Sequence, residues 1–352
     1  MHNRLFCPER RFMREQEAAF YCVSDAHHFV GVVALLNSLR IVGHSEPLFV
    51  LDCGLEEWQR ELLARHATVL RDQSGLPPML LKAVAPLACP AAVMVILDAD
   101  VLVTRRLTPL MEVAGEGQFV AFADYNADRF FDEWAILALG EPRRRTYVAS
   151  GHLFLPAEGG HELLQLFHDA QQRIDTQKTL LGNEGLVVRS TPADPFYFPD
   201  MDVLNAVLST AVEAERLVAL DYRLAPHPPF RGVKLEDAST LRCGYVDGTS
   251  PFVLHHAFRK PWLGRTRSNL YSRLLPRILL GPDVELRLDP LHLPLRLRTG
   301  RRAALDRART DAQAIVNACV RGRLGLRPRL ASWRAARRAQ PNPRAYKTDQ
   351  PR

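Results

Sequence analysis

Two aspartates one residue apart, Asp98 and Asp100, are the residues whose types and spacing most directly suggest chemistry in this sequence. They follow residues 93–97, an apolar run that predicts a central strand covered on both faces. Side chains two positions apart in a strand point the same way, so both carboxylates would lie at its carboxyl end. Their oxygens suit magnesium or manganese, which takes further ligands from a substrate's phosphates. The alternative is that one aspartate caps the following turn and the other is solvated.

Alternating strands and helices indicate the fold that would position these carboxylates. We predict strands at residues 18–24, 47–51, 68–70, 93–97, 118–123, 147–155, 217–220 and 252–254. We predict helices at residues 29–41, 55–64, 79–84, 104–113, 161–172 and 301–320, with a further helix starting at Asp200 as its N-cap. This order predicts an α/β fold with a Rossmann-like, mostly parallel central sheet flanked by helices. Ligands of such sheets bind beyond the carboxyl ends of the strands, where Asp25 and His28 also lie.

Length and composition bound the class of protein. The 352 residues are 47% hydrophobic and 24% charged, enough for one large domain or two modest ones. No apolar run approaches the roughly 20 residues of a membrane-spanning helix, and residues 1–17 carry Arg and Glu where a secretion signal would be apolar. The six cysteines form no CxxC pair, so we expect buried thiols instead of disulfides or a zinc site. These features predict a cytoplasmic protein.

Charge is distributed unevenly along the chain. Residues 265–352 hold 21 Lys or Arg and six Asp or Glu, whereas the first 264 residues hold 25 and 33. We therefore predict an N-terminal arm at residues 1–17, a catalytic domain at 18–263, a basic helical extension at 264–339 and a disordered tail at 340–352. The acidic body argues against nucleic-acid binding by the domain, and we expect no nucleic-acid partner.

The basic extension contains a predicted amphipathic helix at residues 301–320 and a second short helix at residues 330–339. The apolar stripe of the first helix consists of Leu305, Ala308, Ala312, Ile315 and Cys319. The basic extension has three possible roles. It could pack against the acidic body, attach to anionic lipid on the inner face of a membrane, or bind nucleic acid. Packing is favoured, and nucleic acid is disfavoured because no recognised binding module is visible.

A site of this kind needs one more metal ligand and one more cation than the two aspartates supply. The segment at residues 255–260 offers both, as His255 or His256 and Lys260. A divalent ion held by two carboxylates and an imidazole can grip a diphosphate and neutralise the charge of a leaving phosphate. The alternative is that the histidine pair is structural and that Lys260 belongs to a loop closing against the core.

Taken in order, these segments resemble the family-8 glycosyltransferases over roughly residues 18–263. The resemblance rests on residues 21–25 with the helix that follows, 96–102, 150–151, 200–205 and 255–262. It implies a GT-A fold, a nucleotide-sugar donor that is usually UDP-linked, Mn2+ or Mg2+, and transfer with retention to a glycan, a glycolipid or another hydroxyl acceptor.

The resemblance also implies roles for individual residues. Asp98, Asp100 and His255 would bind the metal, with Ala99 between the two acids at the donor. Ser24, Asp25 and His28 would border the base and ribose, while Lys260 would bind the diphosphate and Lys82 would be a basic donor contact. The sugar would meet Asp124, Asp200 and Met201.

Three departures from the family pattern keep other interpretations open. Ala149 replaces an amide that normally reaches the sugar, and Met201 replaces a glutamine, although a thioether accepts hydrogen bonds only weakly. The spacing from histidine to lysine is shorter by one residue when counted from His255, so His256 is also a candidate ligand. A catalytically silent nucleotide-binding relative that acts as a scaffold or subunit is therefore the alternative function. A nucleotidyltransferase is disfavoured because no glycine-rich basic loop follows the first strand.

Overall fold

The computed structural model describes residues 17–182, 190–257, 259–264 and 266–323. Within these ranges the strands are β1 (Ala18–Ser24), β2 (Leu48–Asp52), β3 (Thr68–Arg71), β4 (Val93–Leu97), β5 (Val101–Val103), β6 (Phe119–Ala123), β7 (Val148–Pro156), β8 (Leu217–Leu220), β9 (Lys234–Asp237), β10 (Arg242–Gly244) and β11 (Val253–His255). The α-helices are α1 (Phe29–Ile41), α2 (Glu57–Leu63), α3 (Val84–Ala88), α4 (Thr108–Gly115), α5 (Ala157–Gln171), α6 (Met201–Ala211), α7 (Leu270–Leu280) and α8 (Arg301–Arg323).

A seven-stranded sheet forms the centre of the fold, in the order β3-β2-β1-β4-β7-β6-β8. β1 pairs in parallel with β2 and β4, and β6 pairs in parallel with β8. β7 is antiparallel to both of its neighbours, β4 and β6. The predicted α/β fold with a mostly parallel central sheet is confirmed, and β7 is the strand that runs the other way.

Alternate side chains of the central strands enter two hydrophobic layers on opposite faces of the sheet. In β4, Val95 belongs to the layer that contains α1, whereas Met94 and Ile96 belong to the layer that contains α5 and α6. All five residues of β4 are buried, as expected for a strand covered on both faces. This double cover holds the carboxyl end of β4, and therefore Asp98, in a fixed position.

A separate two-stranded sheet positions the segment that follows Asp100. β5 pairs antiparallel with β11, and His255 lies opposite Val101 in the register. β5 also packs against α1, and its three residues are fully buried. The pairing brings a residue from far downstream next to the two aspartates, which no local pattern in the sequence specifies.

The hydrophobic core continues beyond residue 263, where the sequence analysis places the end of the catalytic domain. α7 buries Tyr271, Leu275 and Ile278 in the same layer as α1. The buried amide of Asn37 in α1 donates to the carbonyl of Ile278 at 2.9 Å and also bonds the backbone of Leu286. α7 was not among the helices predicted from the sequence. In the structure, Asn269 and Ser272 form a capping box at its start.

α8 confirms the predicted helix, but its apolar stripe faces outward. Leu305 and Ile315 are 64% and 51% exposed, and the helix instead buries Ala303 and Thr310. The Arg307 guanidinium attaches the helix to the segment just before it by donating to the carbonyls of Arg296 and Arg298, at 2.8 and 3.1 Å. The second predicted helix at 330–339, the tail at 340–352 and residues 1–16 of the predicted arm lie outside the described residues.

Two further expectations concern cysteines and the membrane. The thiols of Cys22, Cys53, Cys243 and Cys319 are free, but the expectation of a thiol is wrong for Cys89, which is disulfide-bonded. Among the described helices, none combines the length and the apolar character that crossing a bilayer requires.

Candidate active site

Asp98, Asp100 and His255 converge at the carboxyl end of β4. One ligand atom from each side chain lies within 4.8 Å of those of the other two. His255 Nε2 is 3.2 Å from Asp100 Oδ1 and 3.7 Å from Asp98 Oδ2. The two aspartates reach this arrangement through a turn instead of a continued strand, because regular strand structure ends at Leu97. Two carboxylates and an imidazole at such separations fit a divalent cation.

Two glycines leave the space that this arrangement requires. A Cβ added at Gly151 would lie 2.5 Å from His255 Cε1 and 2.9 Å from Asp98 Oδ2. At Gly31 in α1, an added Cβ would collide with the carbonyl oxygen of Ala99 and with the Trp262 ring. The turn between the aspartates therefore sits directly on α1, and His255 sits directly on β7.

Lys82 connects Asp98 to Asp200 from the turn before α3. Its ammonium lies 2.7 Å from Asp98 Oδ1 and 2.7 Å from Asp200 Oδ2, and the Ser150 hydroxyl donates to Asp200 at 2.8 Å. Burial alone would lower the pKa of Lys82, but the two carboxylates outweigh it and raise this pKa above its usual value. Asp200 holds the N-cap position of α6 as predicted, yet its side chain forms no cap hydrogen bond and faces Lys82 instead.

Lys260 brings a second ammonium to the aspartate pair. Its Nζ contacts Asp100 Oδ2 and donates to the carbonyl of His256 at 2.9 Å. Burial would raise the pKa of Asp100, but Lys260 and His255 together hold it well below its usual range. Asp100 therefore stays ionised at neutral pH, which a metal ligand requires.

The geometry distinguishes the two candidate imidazoles. His256 turns away from the aspartates, its Nε2 lying 3.0 Å from the side-chain amide of Asn269 and its ring packing edge-on against Tyr271. Its backbone nitrogen donates to the carbonyl of Asp100 at 3.0 Å, so His256 supports the turn between the aspartates. Of the two imidazoles, His255 is therefore the one that faces both aspartates.

The loop after β1 lies at the same edge of the sheet without contacting the metal-ligand group. Asp25 Oδ1 accepts hydrogen bonds from the backbone and the ring of His28, at 2.9 and 2.8 Å. The Ser24 hydroxyl donates to the carbonyl of Asp25 at 3.1 Å. This small network gives the loop a defined shape at the carboxyl end of β1.

Asp124 and Met201 lie at the ends of neighbouring elements. Asp124 follows β6 and is buried, which raises its pKa, and its Oδ1 accepts a hydrogen bond from the backbone nitrogen of Asn126 at 2.9 Å. Met201 is the first residue of α6 and packs partly into the hydrophobic layer, with no polar contact to offer a sugar.

Two buried histidines beside His255 were not identified from the sequence. The rings of His152 and His227 lie 5.3 and 4.7 Å from the His255 ring, centroid to centroid. Burial lowers the pKa of His227 to about 3 and holds that of His152 well below its usual value. Both rings are therefore neutral and confine the His255 imidazole by packing. Only the topology brings the three together, so no sequence signal could have identified them.

Asp202 was also missed, and its role is structural. It accepts hydrogen bonds from the Tyr147 hydroxyl, the Ser190 hydroxyl and the backbone of Phe198, at 2.7, 2.6 and 2.8 Å. Its neighbour Asn205 bonds both backbone groups of Val148 in β7, at 2.8 Å each. These contacts fix α6 against β7, and they therefore fix Asp200 relative to Ser150.

Comparison of the sequence with protein families and with curated proteins gives no match. In structure, the chain is similar to the bifunctional glycosyltransferase WbbM, with 14% identity over 76% of this chain and 50% of that chain, at a TM-score of 0.50. It is also similar to the galactosyltransferase LgtC in complex with donor and acceptor sugar analogs, with 16% identity over 75% and 98% of the two chains, at 0.46. The glycosyltransferase GlyE of Streptococcus pneumoniae TIGR4 gives 16% identity over 75% and 61%, at 0.49. The chain thus shares the fold of the matched half of the WbbM chain, and its structural neighbours are glycosyltransferases, as the resemblance in sequence predicts.

Proposed function

We propose that this protein is a glycosyltransferase that moves a sugar from a nucleotide-sugar, UDP-linked by its resemblance, to a hydroxyl of a glycan or glycolipid. The observation that carries the proposal is the convergence of Asp98, Asp100 and His255 at the carboxyl edge of the sheet. This edge is where α/β sheets bind their ligands. The glycosyltransferase fold supports the same conclusion.

Mn2+ or Mg2+ would be held by these three side chains. When bound, the ion would offset the negative charge that develops on the departing diphosphate. Lys260 reaches Asp100 from the loop after β11, so its ammonium is available to the same diphosphate. Lys82 lies on the other side, between Asp98 and Asp200, where it would keep Asp200 ionised and oriented toward the sugar.

The remaining residues divide between the two halves of the donor. Ser24, Asp25 and His28 would border the base and ribose, and Asp124 would bind the sugar. Met201 would lie near the anomeric carbon, where a thioether is not a nucleophile for an ordinary double displacement. This supports retention through attack on the same face, in which the leaving diphosphate oxygen accepts the acceptor's proton.

Metal titration tests the ligand group before any turnover is measured. We expect Asp100→Asn and His255→Ala to weaken Mn2+ binding at least tenfold in an electron paramagnetic resonance titration. His256→Ala is the matched control, because its ring faces Asn269, and it should retain most of the affinity. Equal loss in both histidine variants would contradict the assignment of His255.

Donor hydrolysis with several UDP- and GDP-sugars and Mn2+ then tests the reaction. We expect release of free sugar from at least one donor, and loss of that release in Asp100→Asn. The catalytically silent alternative is favoured by Met201, which stands where the family has a glutamine and so leaves the proposed sugar-binding side of the site without that polar group. UDP binding without turnover of any donor would favour that alternative, and binding of no nucleotide would exclude both functions.

The outward stripe of α8 supports peripheral contact with a membrane. Leu305 and Ile315 are exposed on one face, with Arg301, Arg302 and Arg309 beside them. An apolar stripe flanked by arginines suits an anionic lipid surface such as the inner face of a cytoplasmic membrane, where a glycolipid acceptor would lie. We expect co-sedimentation with phosphatidylglycerol vesicles at low salt, and its loss in Leu305→Glu/Ile315→Glu. Absence of sedimentation of the unaltered protein would refute this contact.

A further inference from the structure

A cleft lined by arginines lies at the end of β5 that is remote from the aspartate pair. Its volume is about 360 Å³. The polar residues that line it are Thr104, Arg105, Arg106, Thr240, Arg242 and Ser250. Asp100 precedes β5 and Thr104 follows it, so at about 3.3 Å per residue roughly 13 Å separates the two. The cleft is therefore distinct from the candidate active site.

Arg105 is held rigidly in this cleft. Its Cζ lies 3.5 Å from the centroid of the Phe252 ring, and its Nη1 donates to the carbonyl of Ser250 at 3.4 Å. A guanidinium stacked on an aromatic face keeps a fixed plane and loses little entropy when its N–H groups bind a ligand. Burial lowers the pKa of Arg105, and no carboxylate offsets this effect. The Arg105 side chain is exposed, so its N–H groups that do not bond Ser250 are open to an anion.

Arg106 adds a second cation that has no acidic partner. It packs beside Gly43, where an added Cβ would lie 3.3 Å from Arg106 Nη1. Within the described part of the chain, neither Arg105 nor Arg106 forms an ion pair with a carboxylate. Arg242 differs, because its Nε lies 3.0 Å from Glu236 Oε2. That pair is largely exposed and therefore weak, so Arg242 remains able to turn toward an anion.

We propose that this cleft binds the phosphate group of a soluble phosphate ester. A guanidinium group can bind two phosphate oxygens at once, and Ser250 lines the same wall with a hydroxyl group that can add a neutral donor. The Thr240 hydroxyl donates to Asp237 Oδ2 at 3.0 Å, so Thr240 lines the cleft without being counted as a donor to the ligand. The volume lies within the range of roughly 300–1,000 Å³ typical of small-molecule sites, and it exceeds what a bare phosphate fills. β5 connects the aspartate pair to the cleft along the chain. β11, which pairs with β5, likewise connects Phe252 beside the cleft to His255 in the candidate active site.

Calorimetric titration with inorganic pyrophosphate in EDTA tests this assignment. We expect two binding events in the unaltered protein, one at the cleft and one at the lysines of the active site. Arg106→Ala should weaken the first at least tenfold and leave the second, whereas Lys260→Ala should do the reverse. Arg65→Ala, which removes an exposed arginine that follows α2, is the charge-matched control and should change neither.

The outcomes separate this proposal from the proposed function. A single event, lost in Lys260→Ala and unchanged in Arg106→Ala, would overturn the cleft. A single event lost only in Arg106→Ala would support the cleft and contradict the role of Lys260. Arg105→Lys keeps the charge and loses the planar stacking, so it should weaken the cleft event even if Arg105→Ala does not fold.

A further arm distinguishes a soluble ester from a lipid headgroup. Glucose 6-phosphate should displace pyrophosphate from the cleft in the unaltered protein. Sedimentation with phosphatidic acid vesicles should be unaffected by Arg106→Ala. Loss of sedimentation in that variant, together with no displacement by glucose 6-phosphate, would assign the cleft to a lipid and overturn the soluble ligand.

Discussion

Replacing Gly151 with alanine should disrupt metal binding through a single methyl group. The added Cβ would lie 2.5 Å from His255 Cε1 and 2.9 Å from Asp98 Oδ2, so it would touch two of the three proposed ligands at once. Carbon atoms pack at about 3.5–4.0 Å, so the imidazole must move by roughly 1 Å. Metal–ligand distances tolerate about 0.2 Å, so a shift of that size removes His255 from a shared coordination sphere.

We expect Gly151→Ala to lower Mn2+ affinity by about 10- to 100-fold, comparable with the loss of a group that orients a metal ligand. Overpacking should also cost about 1–3 kcal/mol of unfolding free energy, measured by urea denaturation. Gly115→Ala is the matched control, because its added Cβ would meet Val93 at an ordinary 3.7 Å. A folded Gly151→Ala protein with unchanged Mn2+ affinity would refute the argument that Gly151 shapes the metal site.

Three other predictions concern stability and are read from urea denaturation. Lys82→Met leaves Asp98 and Asp200 without the ammonium that they share, and should cost about 3–5 kcal/mol, whereas unchanged stability would contradict the buried ion pairs. Burial raises the pKa of Asp202 to about 6 from 3.8. Because the folded state holds this proton more tightly, the contribution of Asp202 to stability is greatest at low pH and is lost, by up to about 3 kcal/mol, as pH rises through 6. Asp202→Asn should remove this part of the pH dependence between pH 4 and 7. Leu275→Ala should cost about 2–5 kcal/mol if α7 is part of the main core, and a loss below 1 kcal/mol would argue for a separate extension.

The elements predicted most accurately are those with an uninterrupted apolar pattern. The bounds of β1, α1, β4 and β8 match the predicted ranges to the residue, because each apolar run ends at polar residues or a turn. This holds even for β8, which lies at the edge of the sheet and is only half-buried. The helix predicted at residues 79–84 is instead a 3-10 turn followed by α3. Lys82 falls in the turn between them, where three proline residues nearby disfavour a continuous helix.

Asp98 and Asp100 are neighbours in the chain, so their proximity in the candidate site follows from the local sequence. The choice between His255 and His256 depends on the register between β5 and β11, and the contact of Lys82 with Asp200 depends on how α6 docks against β7. Neither arrangement leaves a periodic pattern in the chain. The prediction that the apolar stripe of α8 packs against the body is wrong for a related reason. An amphipathic pattern identifies an apolar face of a helix but does not identify what covers that face. In α8 the opposite face packs inward instead, through small residues such as Ala303.

The distance along the chain between β5 and β11 has a consequence for biosynthesis. A growing polypeptide would present both acids of the turn long before the imidazole that completes their cation cage leaves the ribosome. If the proposed metal site is correct, metal binding by all three ligands must wait until β11 has been made and has paired with β5. A polypeptide released before residue 255 would carry the two carboxylates without the third ligand.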